Sequence, residues 1–465
     1  MKGVLLNFAS MFKARFELIT KAYPWHFIGF LILAMAIPKL YDLSDVYWIG
    51  RISLDALAIT EQYEFLAITI EIVNETIPFG ILALIAQNYH DRNKVVSILK
   101  AGLILQIILS LVIVFIVTFF INEFVATVGT PDEIVSLTEG YLLLKSFALP
   151  FEAVSYLLLI SIKSMQKGKE ALILVTISVT INMMLDLILI SDTNFSMHLG
   201  VEGVAIGYVI SKIVLMIVSL IYTLHLMQID WKTILRKNWR ENVIPLFNIG
   251  CWTGLDSLVR NSGYMGLLLV LNMLGTNEFG GYGLAMWVMW TLLIPVLALG
   301  EGTSIVVGNY FGEKRYADLL NAVKTSMFLV VVIMLAIAVI GILWWNNLSC
   351  FFNPNPEMVK YSVETFWWLI IPYIGFGIGT ILRSIFYGTG QTRYIFYIAC
   401  VVNIGLIIPY ILLVKLGIVQ ADFTSVMIFY MISFLVDPIL AYIWARKVMI
   451  KEFDFSSANS SHLLN

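Results

Sequence analysis

The tract Ala86-Gln87-Asn88-Tyr89-His90-Asp91-Arg92-Asn93-Lys94 closes one long apolar run, and Val307-Gly308-Asn309-Tyr310-Phe311-Gly312-Glu313-Lys314-Arg315 closes another about 221 residues later. A period of that length marks a duplicated membrane domain rather than a small stacked repeat. Other markers recur at similar spacing: Pro150 is echoed by Pro372, Ser161 by Ser384 and Asn182 by Asn403. Two related halves offer a site between them, an arrangement common in carriers that swing one half against the other.

Of the 465 residues, 60% are hydrophobic and only 13% are charged. Compact soluble domains cannot hide that much apolar surface, so lipid is the solvent for most of the chain. A net charge of −2 lacks the basic field that a nucleic-acid partner requires. Cys251, Cys350 and Cys400 are scattered, without metal spacing or a disulfide framework, and read as inert thiols. Residues 1–22 lack the uninterrupted apolar core and cleavage site of a signal peptide, and 1–24 is expected as an interfacial N-terminal segment. Phe8, Met11, Phe12, Phe16 and Ile19 instead mark one side of a short amphipathic helix expected at the cytoplasmic interface. The tail, 448–465, ends in a polar stretch that has no means of burying itself.

Apolar stretches long enough to cross a bilayer fall at 25–50, 56–87, 97–121, 137–164, 170–191, 203–227, 243–273, 281–309, 320–344, 358–385, 393–416 and 424–447. The expected fold is therefore an all-α polytopic membrane protein of about twelve transmembrane helices. These form two pseudo-symmetric six-helix lobes, 25–227 and 243–447, around a central cavity. The polar segment 228–242, with Lys232, Arg236, Lys237 and Arg240, is the expected cytoplasmic linker. Arg92 and Lys94, Lys167 and Lys169, the linker cluster, Lys314 and Arg315, Arg393, and Arg446 with Lys447 all fall on one side. The opposite loops hold almost no Lys or Arg, so the positive-inside rule places both termini in the cytoplasm.

An ionisable residue at a helix centre costs about 2.5–3.5 kcal/mol on insertion scales, so it usually faces a cavity or a partner. On the second span Glu61, Glu64, Glu71 and Glu75 lie within roughly 80° of the helix circumference. Glu61 and Glu64 suit the outer headgroups. Glu71 and Glu75, beside Asn74 and Pro78, are deep enough to line a cavity. Asn182 and Asp186 lie one turn apart on the fifth span, and Asp42 and Asp45 lie on the first. Carboxylates gathered in a low-dielectric pocket take up a proton or a metal ion, which is the chemistry of an ion-coupled carrier. A purely structural hydrogen-bond network fits the same residue types.

In the second half, Asp256 and Arg260 lie one turn apart and can neutralise each other, whereas Glu301, between Gly300 and Gly302, sits deep in the eighth span. Lys163, Lys212 and Arg383 fall near span ends, where long side chains snorkel. Asp437, beside Pro438, can answer a basic group. Met286, Trp287, Met289 and Trp290 can line a cavity or simply pack a core. No nucleophile constellation, phosphate loop or metal-binding cluster stands out, so the chain does not read as an enzyme.

Several stretches resemble the multidrug and toxic compound extrusion (MATE) family. Asp45-Val46-Tyr47-Trp48-Ile49-Gly50 and Leu54-Asp55-Ala56-Leu57-Ala58 are similar to the ending of that family's first span. Ala86-Gln87-Asn88 and Val306-Val307-Gly308-Asn309-Tyr310-Phe311-Gly312-Glu313 resemble the endings of its second and eighth spans. Gly200-Val201-Glu202-Gly203-Val204-Ala205 resembles its entry to the sixth span, and Gly388-Thr389-Gly390-Gln391-Thr392 its tenth-span ending. The order and spacing of these motifs carry the resemblance over nearly the whole chain. Within the family, the DinF branch places a cation site in the N-terminal lobe, formed by an Asp on the first helix and an Asn with a following Asp on the fifth. Asp45, Asn182 and Asp186 match it, with sodium as a possible metal ion there. The NorM branch uses acids on the seventh and tenth helices. Asp256 fits the first of these positions, but Tyr373–Thr380 holds no acid. His90-Asp91 and Tyr208 depart from the family's usual small residues.

The resemblance implies a cation-coupled antiporter, driven by protons or sodium, that exports organic compounds by alternating access. The acids at Glu71 and Glu75 favour amphipathic cations as substrates. A monomer in the plasma membrane, with a small-molecule substrate, the lipid bilayer as its surroundings and no cofactor beyond the coupling ion, completes the expectation. The alternatives are a lipid-linked oligosaccharide flippase of the same wider superfamily, which needs a strongly cationic cavity, and, more distantly, an intramembrane enzyme.

Overall fold

The computed structural model describes residues 23–53, 56, 59–60, 62–128, 130, 133–228, 238–353 and 355–452. The interfacial segment expected within 1–22, Glu61, the linker cations Lys232, Arg236 and Lys237, and the tail beyond 452 lie outside the described residues. Among the described residues the chain is helical, with no strand. The helices are α1 (Trp25–Ile52), α2 (Tyr63–Gln87), α3 (Arg92–Phe119), the short α4 (Ile121–Val128), α5 (Val135–Ser164), α6 (Gly168–Leu189), α7 (Gly200–Leu226) and α8 (Arg240–Asn272). They continue with α9 (Thr276–Leu292), α10 (Ile294–Gly312), α11 (Tyr316–Phe352), α12 (Pro356–Thr389), α13 (Arg393–Ala399), a π-helical segment (Cys400–Ile407), α14 (Ile408–Lys415) and α15 (Phe423–Glu452).

Ten of these stretches are long and apolar enough to cross a membrane, and the pair α9–α10 makes eleven. That pair, read in the sequence as one continuous span, is bent by 49°. Pro295 sits in the first turn of α10, where its missing N–H breaks the ladder from α9. The remaining long helix, α8, has 33 residues and is diluted by polar groups including Asp256 and Arg260. The eleventh span runs as α13, the π-helical segment and α14 without a break. Pro409 follows the π turn, whose wider winding gives room for a ring that cannot donate to the preceding turn.

The two tracts that reveal the duplication end their helices by different means. Asn88 donates through Nδ2 to the Leu84 carbonyl, and Asp91 caps α3 by accepting from the Lys94 backbone N–H at 3.1 Å. In the second copy Arg315 pairs with Glu313 and Asp318 and lies over the Tyr310 ring. Asp91 is thus a helix cap, which accounts for its departure from the family's usual small residue.

The chain forms two compact units, Gly29–Ser257 and Tyr23–Ile28 with the residues from Leu258 onward. In the first, Ile49, Leu66, Ile70, Val73, Leu142, Leu149, Val204 and Ala205 belong to one buried apolar cluster. Within it α2 and α8 meet at small residues: a methyl group at Gly80 would lie 2.8 Å from the Leu246 carbonyl, and Gly250 and Gly254 face Thr76. Pro78 denies α2 one backbone donor, and side chains serve carbonyls nearby. Thr253 donates to the Glu75 carbonyl at 2.7 Å, and Gln106 to that of Val73 at 3.3 Å. In the second unit α12 is the hub. Gly281 of α9 and Gly300 of α10 lie against it, and its own Gly388 and Gly379 face α10 and α15. The helix ends on Gly390 at φ 75°, the left-handed cap that glycine adopts without steric cost.

Candidate cation site

Asp45 and Tyr41 are four residues apart on α1 and so share a face; Asn182 and Asp186 do the same on α6. The Tyr41 hydroxyl donates to Asp186 Oδ2 at 2.9 Å and also interacts with Asp45. This one phenol therefore joins the two acids that the sequence placed 141 residues apart. Asp186 is 2% exposed and Asn182 6%. Asp45 Oδ1 and Asn182 Oδ1 are buried without a hydrogen-bond partner. Unanswered buried oxygens are costly, so a proton or a hard cation arriving there meets acceptors already stripped of water. Two carboxylates and an amide oxygen form a hard donor set suited to sodium or a proton rather than to a thiophilic metal. Among the described residues no group of three or more His, Cys, Asp or Glu is arranged to hold a metal ion. Asp42 stands apart: it pairs with Lys39 at 2.8 Å on the exposed side of α1.

Beside these acids lies a second polar network that the sequence reading passed over. Lys145 and Glu152 lie two turns apart on one face of α5. Glu152 accepts from the Tyr208 hydroxyl at 2.7 Å and pairs with Lys212 at 3.4 Å. The Lys145 ammonium sits over the rings of Tyr208 at 3.7 Å, Tyr63 at 4.7 Å and Tyr141 at 5.5 Å. The signal was available: a lysine and a glutamate seven residues apart inside an apolar run are intramembrane charges on one face. Tyr208, which departs from the family's usual small residue, belongs to this network.

The expected snorkelling of Lys163, Lys212 and Arg383 is corrected. Lys163 is 7% exposed, Lys212 is held by Glu152, and Arg383 pairs with Asp437, which is also within electrostatic reach of Arg260. Lys212 and Arg383 lie far enough inside their bundles for a carboxylate, rather than the interface, to be the nearer partner, whereas Lys163 is buried in the last turn of α5.

The remaining expected cavity residues are dispersed. Glu71, Asn74 and Glu75 are half-buried on α2, and Asn74 Oδ1 is buried without a hydrogen-bond partner. Asp256 is buried in α8. Glu301 is half-buried, with Oε1 enclosed. Met286 takes the second of its two expected places, in the core, accepting a hydrogen bond from the buried Tyr373 hydroxyl at 3.1 Å. Trp287 and Trp290 are partly exposed and meet Phe352 and Phe376 edge to face.

A bundle of apolar spans with buried ionisable groups is the architecture of a membrane carrier. The family model MatE matches residues 31–188 and 253–413, and the chain belongs to that family. It is an integral membrane protein and a transporter, not an enzyme. The probable multidrug resistance protein YoeA of Bacillus subtilis is 21% identical over 430 residues, covering 90% of this chain and 92% of that protein. The multidrug export protein MepA of Staphylococcus saprophyticus is 24% identical, covering 79% and 81%. A mutant of the MATE transporter VcmN of Vibrio cholerae superposes with a TM-score of 0.85 at 15% identity, over 95% of this chain and all of that one.

Proposed function

We propose that this protein is a cation-coupled antiporter that exports amphipathic organic compounds by alternating access, with protons or sodium as the driving ion. Asp45, Asn182 and Asp186 take up that ion. The observation that carries the reading is the Tyr41 bridge between α1 and α6 at the buried Asp186 and the half-buried Asp45, beside carboxylate and amide oxygens that lack hydrogen-bond partners. An ion entering there changes how two helices are held together, which is what coupling requires. The multidrug function comes by similarity to YoeA and MepA. A preference for organic cations follows from Glu71 and Glu75 on α2. Acids in the first half, with none between Tyr373 and Thr380, favour the DinF branch. The protein is expected to act as a monomer in the cytoplasmic membrane, with both termini inside.

The reading is tested in proteoliposomes with imposed proton or sodium gradients and ethidium as the transported probe. Asp186→Asn is expected to lower gradient-driven transport at least tenfold while leaving the fold intact. Undiminished driven transport in that variant would overturn the assignment.

A further inference from the structure

A lysine in the middle of a membrane bundle normally rests on a carboxylate, because an ammonium taken out of water needs an opposite charge. Lys145 is 6% exposed and rests instead among aromatic rings supplied by three helices: Tyr63 of α2, Tyr141 of α5 and Tyr208 of α7. Ring faces hold an ammonium through their quadrupoles, and a desolvated site strengthens that hold. Its acidic neighbour on α5, Glu152, already serves the Tyr208 hydroxyl and Lys212. Lys145 is nonetheless within electrostatic reach of Asp45 on α1 and Asp186 on α6, as well as of Glu152 and Lys212. Asp45 Oδ1 and Asn182 Oδ1 remain acceptors without donors. A flexible four-carbon stem carrying three donors is suited to exchange between the two environments.

We propose that Lys145 is a chain-borne competitor of the coupling ion, moving between the Tyr63–Tyr141–Tyr208 cage and the Asp45–Asp186 pair. With the ion bound, the ammonium is repelled into the cage. When the ion leaves, the ammonium crosses to the carboxylates, so the acids are not left bare in a dry interior. Lys145 thereby weakens ion binding to a level at which release is possible. This rests on the reading of Asp45, Asn182 and Asp186 as the ion site, and acts on that site through one further residue.

The test measures thermal unfolding of the purified full chain against sodium chloride at fixed pH, and against pH at fixed sodium. A ligand that binds the folded state raises its stability in proportion to occupancy. The wild type is expected to be stabilised by one of these ions and Asp186→Asn to lose that response. Lys145→Met should reach half-effect at roughly tenfold lower ion concentration, whereas Lys145→Arg stays near wild type. Should the lysine variants fail to fold, the cage supplies the opposite sign. Tyr208→Leu should raise the half-effect concentration by threefold or more, whereas Tyr208→Phe, which keeps the ring, should not. A fall of less than threefold in Lys145→Met, or no rise in Tyr208→Leu if the lysine variants do not fold, with Asp186→Asn unresponsive, overturns the role of Lys145 and leaves the ion site standing. A response that persists in Asp186→Asn, or is absent from the wild type, overturns the ion site and the competitor with it.

Discussion

Tyr41 is the residue on which the candidate site turns. It carries no charge and belongs to no motif, yet its hydroxyl is what α1 and α6 share at Asp45 and Asp186. A hydrogen bond to a charged acceptor contributes about 1.5–3 kcal/mol, so Tyr41→Phe should lower stability measurably. Combining it with Asp186→Leu in a thermal-unfolding cycle should show a coupling energy of about 1 kcal/mol or more; additive losses would mean that the two side chains act independently. Asp45, Asn182 and Asp186 were legible in the sequence because charge and amide groups inside apolar runs are conspicuous. Tyr41, Tyr63 and Tyr141 were not, since tyrosine is ordinary in such a chain and only the fold reveals which rings converge. Lys145 and Glu152 were conspicuous in the same way as the acids and fell outside the reading because no family motif drew attention to them.

At the scale of elements, the helix boundaries follow the apolar pattern closely, whereas the internal irregularities do not. Hydropathy averages over a turn or two, and so it cannot register the break at Leu293 or the π turn at Cys400–Ile407. Prolines set both, but a proline inside a span says only that the ladder is interrupted, not whether the result is a kink, a break or a wider turn. Beside Pro78 on α2, side chains from neighbouring helices answer backbone carbonyls. Thr253 shares its hydroxyl between its own Gly250 carbonyl and that of Glu75, three residues before Pro78. Thr253→Val should cost about 1–3 kcal/mol in thermal unfolding, because a buried carbonyl loses its donor.

Over the whole molecule, duplication produced similar scaffolds with different interiors. Asn182 and Asn403 correspond by position, yet the first faces a site with an unanswered oxygen, whereas the second donates to its own helix at the Ala399 carbonyl inside the π turn. Asp186 corresponds to the apolar Ile407. In the second unit Arg383 and Asp437 pair near Arg260, and Glu301 is half-buried on α10. That pair reads as structural. Arg383→Met alone should destabilise by about 3–5 kcal/mol, and the double change Arg383→Met with Asp437→Leu should recover most of the loss. Ion-driven transport should survive in the double variant, in contrast to Asp186→Asn. If the double variant folds yet no longer couples, the second unit takes part in ion handling as well.

The 37 residues of α11 make a rod of about 55 Å, against a hydrocarbon core of about 30 Å. If the basic end at Lys314 and Arg315 marks the cytoplasmic surface, the far turns of this helix stand clear of the lipid on the outside. Cys350 lies in those turns and is exposed, whereas Cys251 and Cys400 are half-buried deep in their helices. The chain thus carries its own reporter of sidedness. A membrane-impermeant maleimide added to intact cells should label it at Cys350, and Cys350→Ser should abolish the label. Labelling that requires the membrane to be opened would turn the whole topology over.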